Sequence, residues 1–311
     1  MQVYNDLFSI KKDDNTVLTI GAFDGVHLGH LEIIEKVKLR ATELKARSFL
    51  LTFNPHPRNV LSGSGSIKTL NTLKEKEEIL QNLGIENLFV INFNKEFSQL
   101  PAEKFFSDYI INGIGLKEII IGYDFHFGKG RGGSIETIIE MGKRNNFKVD
   151  KVEEVTFDGN KISSTKVRKA LIEGKINLTN NLLGRKYSFS GIVVHGDKRG
   201  RTLGFPTANI KTDDEDKLLP ALGIYVVEFF VNNQKHFGLL SLGKRPTFYD
   251  EGNIVPEVYI YNFDEDIYDE YVTVNLIERL RGEEKFSSVE NLIVQMNKDK
   301  ENGLKILEQF N

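Results

Sequence analysis

Through the first half of the chain, short apolar runs rich in β-branched and aromatic residues alternate with longer stretches of helical periodicity. The runs fall at residues 17–23, 48–54, 87–93 and 118–125. Leu31, Ile34, Val37 and Leu39 share one helix face, and Leu73, Ile79, Leu80 and Leu83 share another. Strand and helix in strict alternation predict βαβ crossovers and a parallel sheet covered on both faces, a Rossmann-like α/β domain. Such sheets bind ligands beyond the carboxyl ends of their strands. Two glycine-rich segments fall at strand ends, TIGAFDGVHLGH (19–30) and IGYDFHFGKGRGG (121–133).

The second half has a different pattern. Residues 188–195, 223–231, 236–242, 257–263 and 270–277 read as strands joined by short polar loops with no helix between them. That pattern predicts an antiparallel barrel or sandwich. The C-terminal stretch returns to helix: Ser287 with Glu290 reads as a capping box, and Val289, Leu292, Ile293 and Met296 follow at helical spacing. Gly174 can end a helix over 165–173, and an asparagine-rich segment follows it, so the domain boundary is expected between Gly174 and Gly184. The expected domains are 1–183 and 184–311.

A length of 311 residues agrees with two domains. The net charge of -3 and a pI of about 6.1 give no global attraction to nucleic acid or anionic lipid, so any anion site must be local. The absence of cysteine excludes disulfides, thiolate nucleophiles and cysteine-ligated zinc. The opening MQVYNDLFSIKKDDN lacks the charged-then-apolar order of a signal peptide, and no apolar run is long enough for a membrane span. A cytoplasmic enzyme or binding protein is expected, with small-molecule partners, no nucleic acid, no membrane, and a monomeric or weakly oligomeric state.

His27 and His30 stand where an apolar run turns into a helix. A helix N-terminus offers unpaired amides and partial positive charge, and therefore attracts phosphate. Gly21, Gly25 and Gly29 let backbone approach a ligand, and the two imidazoles can donate to phosphate oxygens as charge develops. A pair of solvated helix-start residues is the plainer alternative. Half of a zinc site is another, although no HExxH pattern or nearby third ligand accompanies it. Three further segments join this one: NPHPR (54–58), the acid and basic glycine-rich loop of GYDFHFGKGRGG, and ISSTKVR (162–168), with hydroxyls at a helix start and an arginine one turn in.

In the second half, GIVVHGDKRGRTLGFPTANI (191–210) is a strand, a basic glycine-rich loop and an extended PTAN. Backbone amides with Lys198, Arg199 and Arg201 could embrace a polyphosphate, though a solvated basic loop has the same composition. Thr207 and Asn209 alternate on an extended segment, so both can face one metal or phosphate. Glu257, at the start of a predicted strand, could accept a hydroxyl proton or be a solvated charge.

GAFDGVHLGH, NPHPR, GYDFHFGKGRGG and ISSTKVR, in this order, resemble the nucleotidylyltransferase module of bacterial bifunctional riboflavin kinase/FAD synthetases. GRTLGFPTAN, GIYVV, RPTF (245–248), PEVYIYNFDEDIY and LRGEEKF (280–286) resemble the riboflavin kinase module of the same family. The resemblance implies that riboflavin becomes FMN with one ATP and FMN becomes FAD with a second. It implies that His27 and His30 contact ATP phosphates, with Gly21, Phe23 and Asp24 in the same motif. Asn54 and His56 would face the phosphates or flavin, Asp124 would lie in the cleft with Arg131 close by, and Ser163, Ser164 and Arg168 would hold the nucleotide from the other side. In the kinase module Gly196, Lys198, Arg201, Gly204, Pro206 and Arg281 become candidate ATP or flavin contacts. Thr207 and Asn209 match the residues that hold Mg²⁺ and phosphate, and Glu257 matches the catalytic base. Three positions depart from the family pattern: His126 replaces a frequent arginine, Asp269 a glycine, and Ser241 an asparagine. The alternatives are a nucleotidylyltransferase with another acceptor and a non-catalytic flavin-binding regulator.

Overall fold

The computed structural model describes residues 1–63, 65–196, 200, 203–244 and 254–309. The chain forms two compact units, Met1–Ser164 and Thr165–Asn311.

The first unit is built on strands β1 (Gln2–Tyr4), β2 (Thr16–Ile20), β3 (Arg47–Asn54), β4 (Asn87–Asn92), β5 (Glu118–Gly122) and β6 (Lys148–Val152). They pair in parallel in the order β1-β4-β3-β2-β5-β6. Period-two alternation splits their side chains between two cores. Leu18, Phe49, Leu51, Phe89 and Ile119 pack on one face with Phe106, Ile110 and Ile114 of a π-helix, Phe106–Ile114. Val17, Leu50, Leu88 and Ile120 pack on the other against α1 (Leu28–Leu44). α1 buries Ile34, Val37 and Ala41, whereas Leu39 is 58% exposed; two residues past Val37, it lies off the inward face that the apolar spacing assigned it. The expected strands 17–23 and 118–125 stop at Ile20 and Gly122, and the residues after them form the turns of the first site. β1 and β6 escape sequence reading because they are the sheet edges. β1 has three residues, and β6 is KVDKV with one buried position, so neither carries a continuous apolar run.

The remaining elements of this unit are α2 (Pro57–Leu61), α3 (Leu73–Asn82), α4 (Lys95–Ser98), α5 (Ala102–Phe105), a short 3₁₀ turn (Lys129–Arg131), α6 (Ile135–Asn145) and a hairpin of β7 (Thr156–Phe157) and β8 (Asn160–Lys161). Thr72 and Glu75 form a reciprocal capping box that starts α3.

The second unit closes β9 (Ser188–Val194), β10 (Thr207–Thr212), β11 (Gly223–Val231), β12 (Gln234–Lys244), β13 (Ile254–Ile260) and β14 (Tyr271–Arg281) into an antiparallel barrel, in the order β10-β13-β12-β11-β14-β9. α7 (Ser164–Ile172) begins at the division between units, and α8 (Ile176–Leu183) follows. α8 spans the segment expected to carry the boundary. It packs on the barrel: the Asn180 amide donates to the Leu276 carbonyl at 3.0 Å and accepts from the Tyr187 N–H at 2.7 Å. The C-terminal α9 (Val289–Glu308) packs its Leu307 with Val226, Leu239, Tyr261 and Ile277. Its cap is Ser288, accepting from the Asn291 N–H, rather than Ser287 with Glu290. Asp269, where the family pattern has glycine, has φ +64°, a left-handed conformation that aspartate tolerates better than most side chains.

Candidate active sites

The first site is a turn between β2 and α1. The Gly21 N–H still pairs with the Leu51 carbonyl at 3.1 Å, after which Phe23, Gly25 and Val26 take φ of +46°, +85° and +39°. Phe23 and Val26 drop into the core under α1, which anchors the turn. Gly25 is required twice, by its positive φ and because a Cβ would lie 2.6 Å from Leu70 Cδ1. Asp24 is buried and faces inward: its carboxylate accepts from the Leu70 N–H at 2.8 Å, and its carbonyl accepts from the Ser164 hydroxyl at 2.8 Å. Asp24 and Ser164 therefore staple the turn, a task their sequence positions did not disclose. His27 caps the start of α1 with no side-chain cap bond, and its carbonyl accepts from the His30 N–H at 2.7 Å and the Leu31 N–H at 2.9 Å. The His27 and His30 rings stack at 3.7 Å, and the Phe23 ring tilts against His30 at 5.1 Å.

Gly21 and Ala22 open onto a cavity of about 530 Å³, which His56, Asp124, His126 and Arg131 also line. Its apolar wall is formed by Phe53, Phe93, Phe97, Phe105, Phe125 and Phe127. The structure thus gathers Gly21, His56, Asp124 and Arg131 around one space, with His27 and His30 at the far end of the turn that Gly21 begins. Asn54 ends β3 in an exposed position, joined to Pro55 by a cis peptide, and His56 caps α2 by accepting from the Arg58 N–H at 3.2 Å. Asp124 is 65% exposed and lies 3.6 Å from Lys161 Nζ. His126 Nδ1 lies 3.0 Å from the Asp124 carbonyl and 3.2 Å from Arg131 Nη2, so the departing histidine and the nearby arginine share one loop. Ser163 adjoins Ser164 at the end of the first unit, while Arg168 belongs to α7 of the second.

Sequence reading missed the phenylalanine wall, because these residues are spread over five separate segments and only the fold collects them. It also missed Lys76, which sits within the charged run KEKEE yet is 6% exposed.

In the second unit, Asn209 and Glu257 are direct cross-strand partners on β10 and β13, and the Thr207 hydroxyl donates to the Glu257 carboxylate at 3.3 Å. Ser241 on β12 is the other cross-strand partner of Glu257. Two cavities flank this group. One of about 260 Å³ is lined by Thr207, Ser241, Glu257, Tyr259, Arg281 and Phe286. The other, of about 460 Å³, is lined by Pro206, Thr207, Val258, Phe263, Ile267 and Tyr268. Glu257 and Val258 face different cavities because neighbours on a strand point to opposite faces. Thr207 lines both.

Gly196 must be glycine beside Asn209, whose amide nitrogen would lie 2.3 Å from a Cβ there. Gly204 has φ +82° and turns the chain into Pro206. Arg281 is held by Asp299 of α9 through two guanidinium nitrogens at 2.7 and 3.0 Å, so it lines its cavity in a fixed pose. Lys198, Arg201 and the RPTF motif lie outside the described residues. Among the described residues no group of three His, Cys, Asp or Glu could hold a metal ion. The oxygens of Thr207 and Asn209, beside the Glu257 carboxylate, are donors that suit a hard cation keeping sites for water and phosphate.

The FAD synthetase family pattern matches residues 9–166, and the riboflavin kinase pattern matches residues 183–307. The bifunctional riboflavin kinase/FMN adenylyltransferase of Listeria monocytogenes is 40% identical over 93% of this chain and 91% of its own length. That of Bacillus subtilis is 37% identical over 93% of this chain and 92% of its own. A crystal structure described as a macrolide-efflux protein from Streptococcus pneumoniae matches with a TM-score of 0.87 at 33% identity, covering 96% of this chain and 97% of that one. Among the described residues no helix is long and apolar enough to cross a membrane.

Proposed function

The chain belongs to the bifunctional riboflavin kinase/FMN adenylyltransferase family, and from that membership we propose how its residues divide the two reactions. The protein uses ATP to convert riboflavin to FMN and FMN to FAD. In our reading, residues 184–311 perform the phosphorylation and residues 1–183 the adenylyl transfer, with α8 serving as structural support for the barrel.

The observation that carries the kinase assignment is the place of Thr207, on the wall between two cavities and in contact with Glu257. Riboflavin enters the Glu257 side with its ribityl 5′-hydroxyl at the carboxylate, and ATP occupies the side of Pro206 and Tyr268. Glu257 accepts the hydroxyl proton as that oxygen attacks the γ-phosphorus and ADP leaves. Thr207 and Asn209 would hold Mg²⁺. Their oxygen donors suit it, Asn209 is buried against Gly196, and the ion supplies neutralisation of phosphate charge when bound. Gly204 and Pro206, with Lys198 and Arg201 beside them in sequence, would frame the triphosphate, and Arg281 shapes the flavin side.

In the first unit, FMN lays its ring in the phenylalanine-walled cavity, whose size and apolar lining suit a planar tricycle. Its phosphate attacks the α-phosphorus of ATP and pyrophosphate leaves. The α1 amides with His27 and His30 stabilise the charge gathered on the phosphates, while Asn54, His56, Asp124 and Arg131 line the approach, and Ser163 is assigned to the nucleotide. Neither reaction needs a covalent enzyme intermediate; positioning and charge stabilisation supply the acceleration. The test is a pair of time courses, riboflavin with MgATP and FMN with MgATP, resolving FMN from FAD, for the parental protein, Glu257→Gln and His27→Ala/His30→Ala. Each variant should lose one step and keep the other.

A further inference from the structure

Lys76 is a charged side chain in a place where charge is costly. It lies on α3, 6% exposed, and its ammonium donates to the Ala22 carbonyl at 2.8 Å and to the Thr52 hydroxyl at 3.3 Å. The Thr52 hydroxyl, itself fully buried, donates to the same Ala22 carbonyl at 3.2 Å. One carbonyl of the phosphate turn is thus gripped from beneath by two donors, one of them cationic. Among the described residues the only cis peptide is Asn54–Pro55, so the Ala22–Phe23 peptide is trans. In a trans peptide the C=O and the next N–H point in opposite directions. An Ala22 carbonyl drawn into the core therefore turns the Phe23 N–H away from it, at the level where Gly21 and Ala22 border the cavity.

We propose that Lys76 is a positioning residue for adenylyl transfer, holding the Ala22 carbonyl inward so that the Phe23 N–H and the turn leading to His27 face the ATP phosphates. The proposal rests on the assignment of this turn to the phosphates given above. A neutral side chain could make the same hydrogen bond without the desolvation of a buried ammonium. Such a cost persists where a site needs the charge, and here the cation lies under the place where phosphate charge collects. Burial pushes the lysine down to about 8, partly offset by Asp24 of the turn and Glu77 of its own helix; Thr52, from β3, is uncharged. The ammonium is therefore present at neutral pH and lost as pH rises through that value, and with it the cationic grip on the turn.

The experiment compares FAD formation from FMN with FMN formation from riboflavin in one preparation, from about pH 6.5 to about pH 9.5, for the parental protein and Lys76→Gln. In the parental protein the FAD:FMN rate ratio should fall as pH passes through about 8. Lys76→Gln should lower the ratio about tenfold at neutral pH, through kcat with KM for FMN within about twofold, and flatten the alkaline fall. A parental ratio in Lys76→Gln, or an alkaline fall that survives the substitution, overturns the proposal. If Lys76→Gln does not fold, the parental profile decides: a ratio flat across the range overturns the role. His27→Ala/His30→Ala separates this from the underlying assignment. A parental ratio in Lys76→Gln beside a collapsed one in the histidine variant removes Lys76 and leaves the phosphate turn standing, whereas parental ratios in both remove the turn itself.

Discussion

Thr207 and Glu257 meet across two antiparallel strands, the threonine hydroxyl donating to the carboxylate at 3.3 Å on the wall between two cavities. In the proposed division Glu257 is the base on the acceptor side, and Thr207 borders both its cavity and the one assigned to ATP.

Glu257→Gln keeps shape and hydrogen bonding while removing basicity. Riboflavin phosphorylation should drop about 10²–10⁴-fold, the usual worth of a positioned base. FMN supplied directly should still become FAD. Chromatography of both products reads the outcome, and parental phosphorylation by the Gln variant would refute the assignment of the base.

Replacing His27 and His30 together by alanine should stop FMN-to-FAD conversion and spare riboflavin phosphorylation. Each lost donor to developing charge is worth ~3 kcal/mol, about a hundredfold in rate. Near-normal FAD output would reduce the stacked pair to a packing feature of the helix start.

His126→Arg should change FAD synthesis less than about tenfold, because Arg131 already places a guanidinium 3.2 Å from His126 in the same loop. Steady-state rates at saturating FMN decide it, and a hundredfold loss would give the histidine a role of its own.

A fragment of residues 165–311 should fold and make FMN only. A fragment of residues 184–311 lacks α8, whose Asn180 bonds to Leu276 and Tyr187 and whose Leu182 and Leu183 are buried. It should be less stable by several kcal/mol, on the order of two hydrogen bonds and two buried leucines. Thermal unfolding of the two fragments compares them, and equal midpoints would show α8 to be dispensable.

Lys76 also makes a stability prediction with a definite sign. Its folded value of about 8 lies below the ordinary 10.5, so between them the unfolded chain binds a proton that the folded chain does not. Stability from this group therefore rises with pH across that window, by roughly 3 kcal/mol at most. Lys76→Met should abolish that rise in chemical denaturation of the first unit. A parental pH dependence in Lys76→Met would refute it.

Much of this protein is decided locally and can be read from its residues. The βαβ alternation, the antiparallel second half, the turn before His27 and the Thr207–Asn209 alternation follow from side-chain periodicity and backbone freedom, which act over a few residues. Motif order carries the two activities for the same reason, since each motif is one strand end or one loop. What only the tertiary structure decided joins residues distant in sequence. Edge strands β1 and β6 form by pairing with a neighbour rather than by their own apolar content. Leu39 and Lys76 exchange the exposures that their chemistry suggests, because burial depends on what a helix face meets. Six phenylalanines become one wall, and Asp24 and Ser164 become staples, only when the chain between them folds. The Gly174–Gly184 segment reads as a loop-rich junction, yet α8 forms there because the barrel supplies partners for its apolar face and for Asn180.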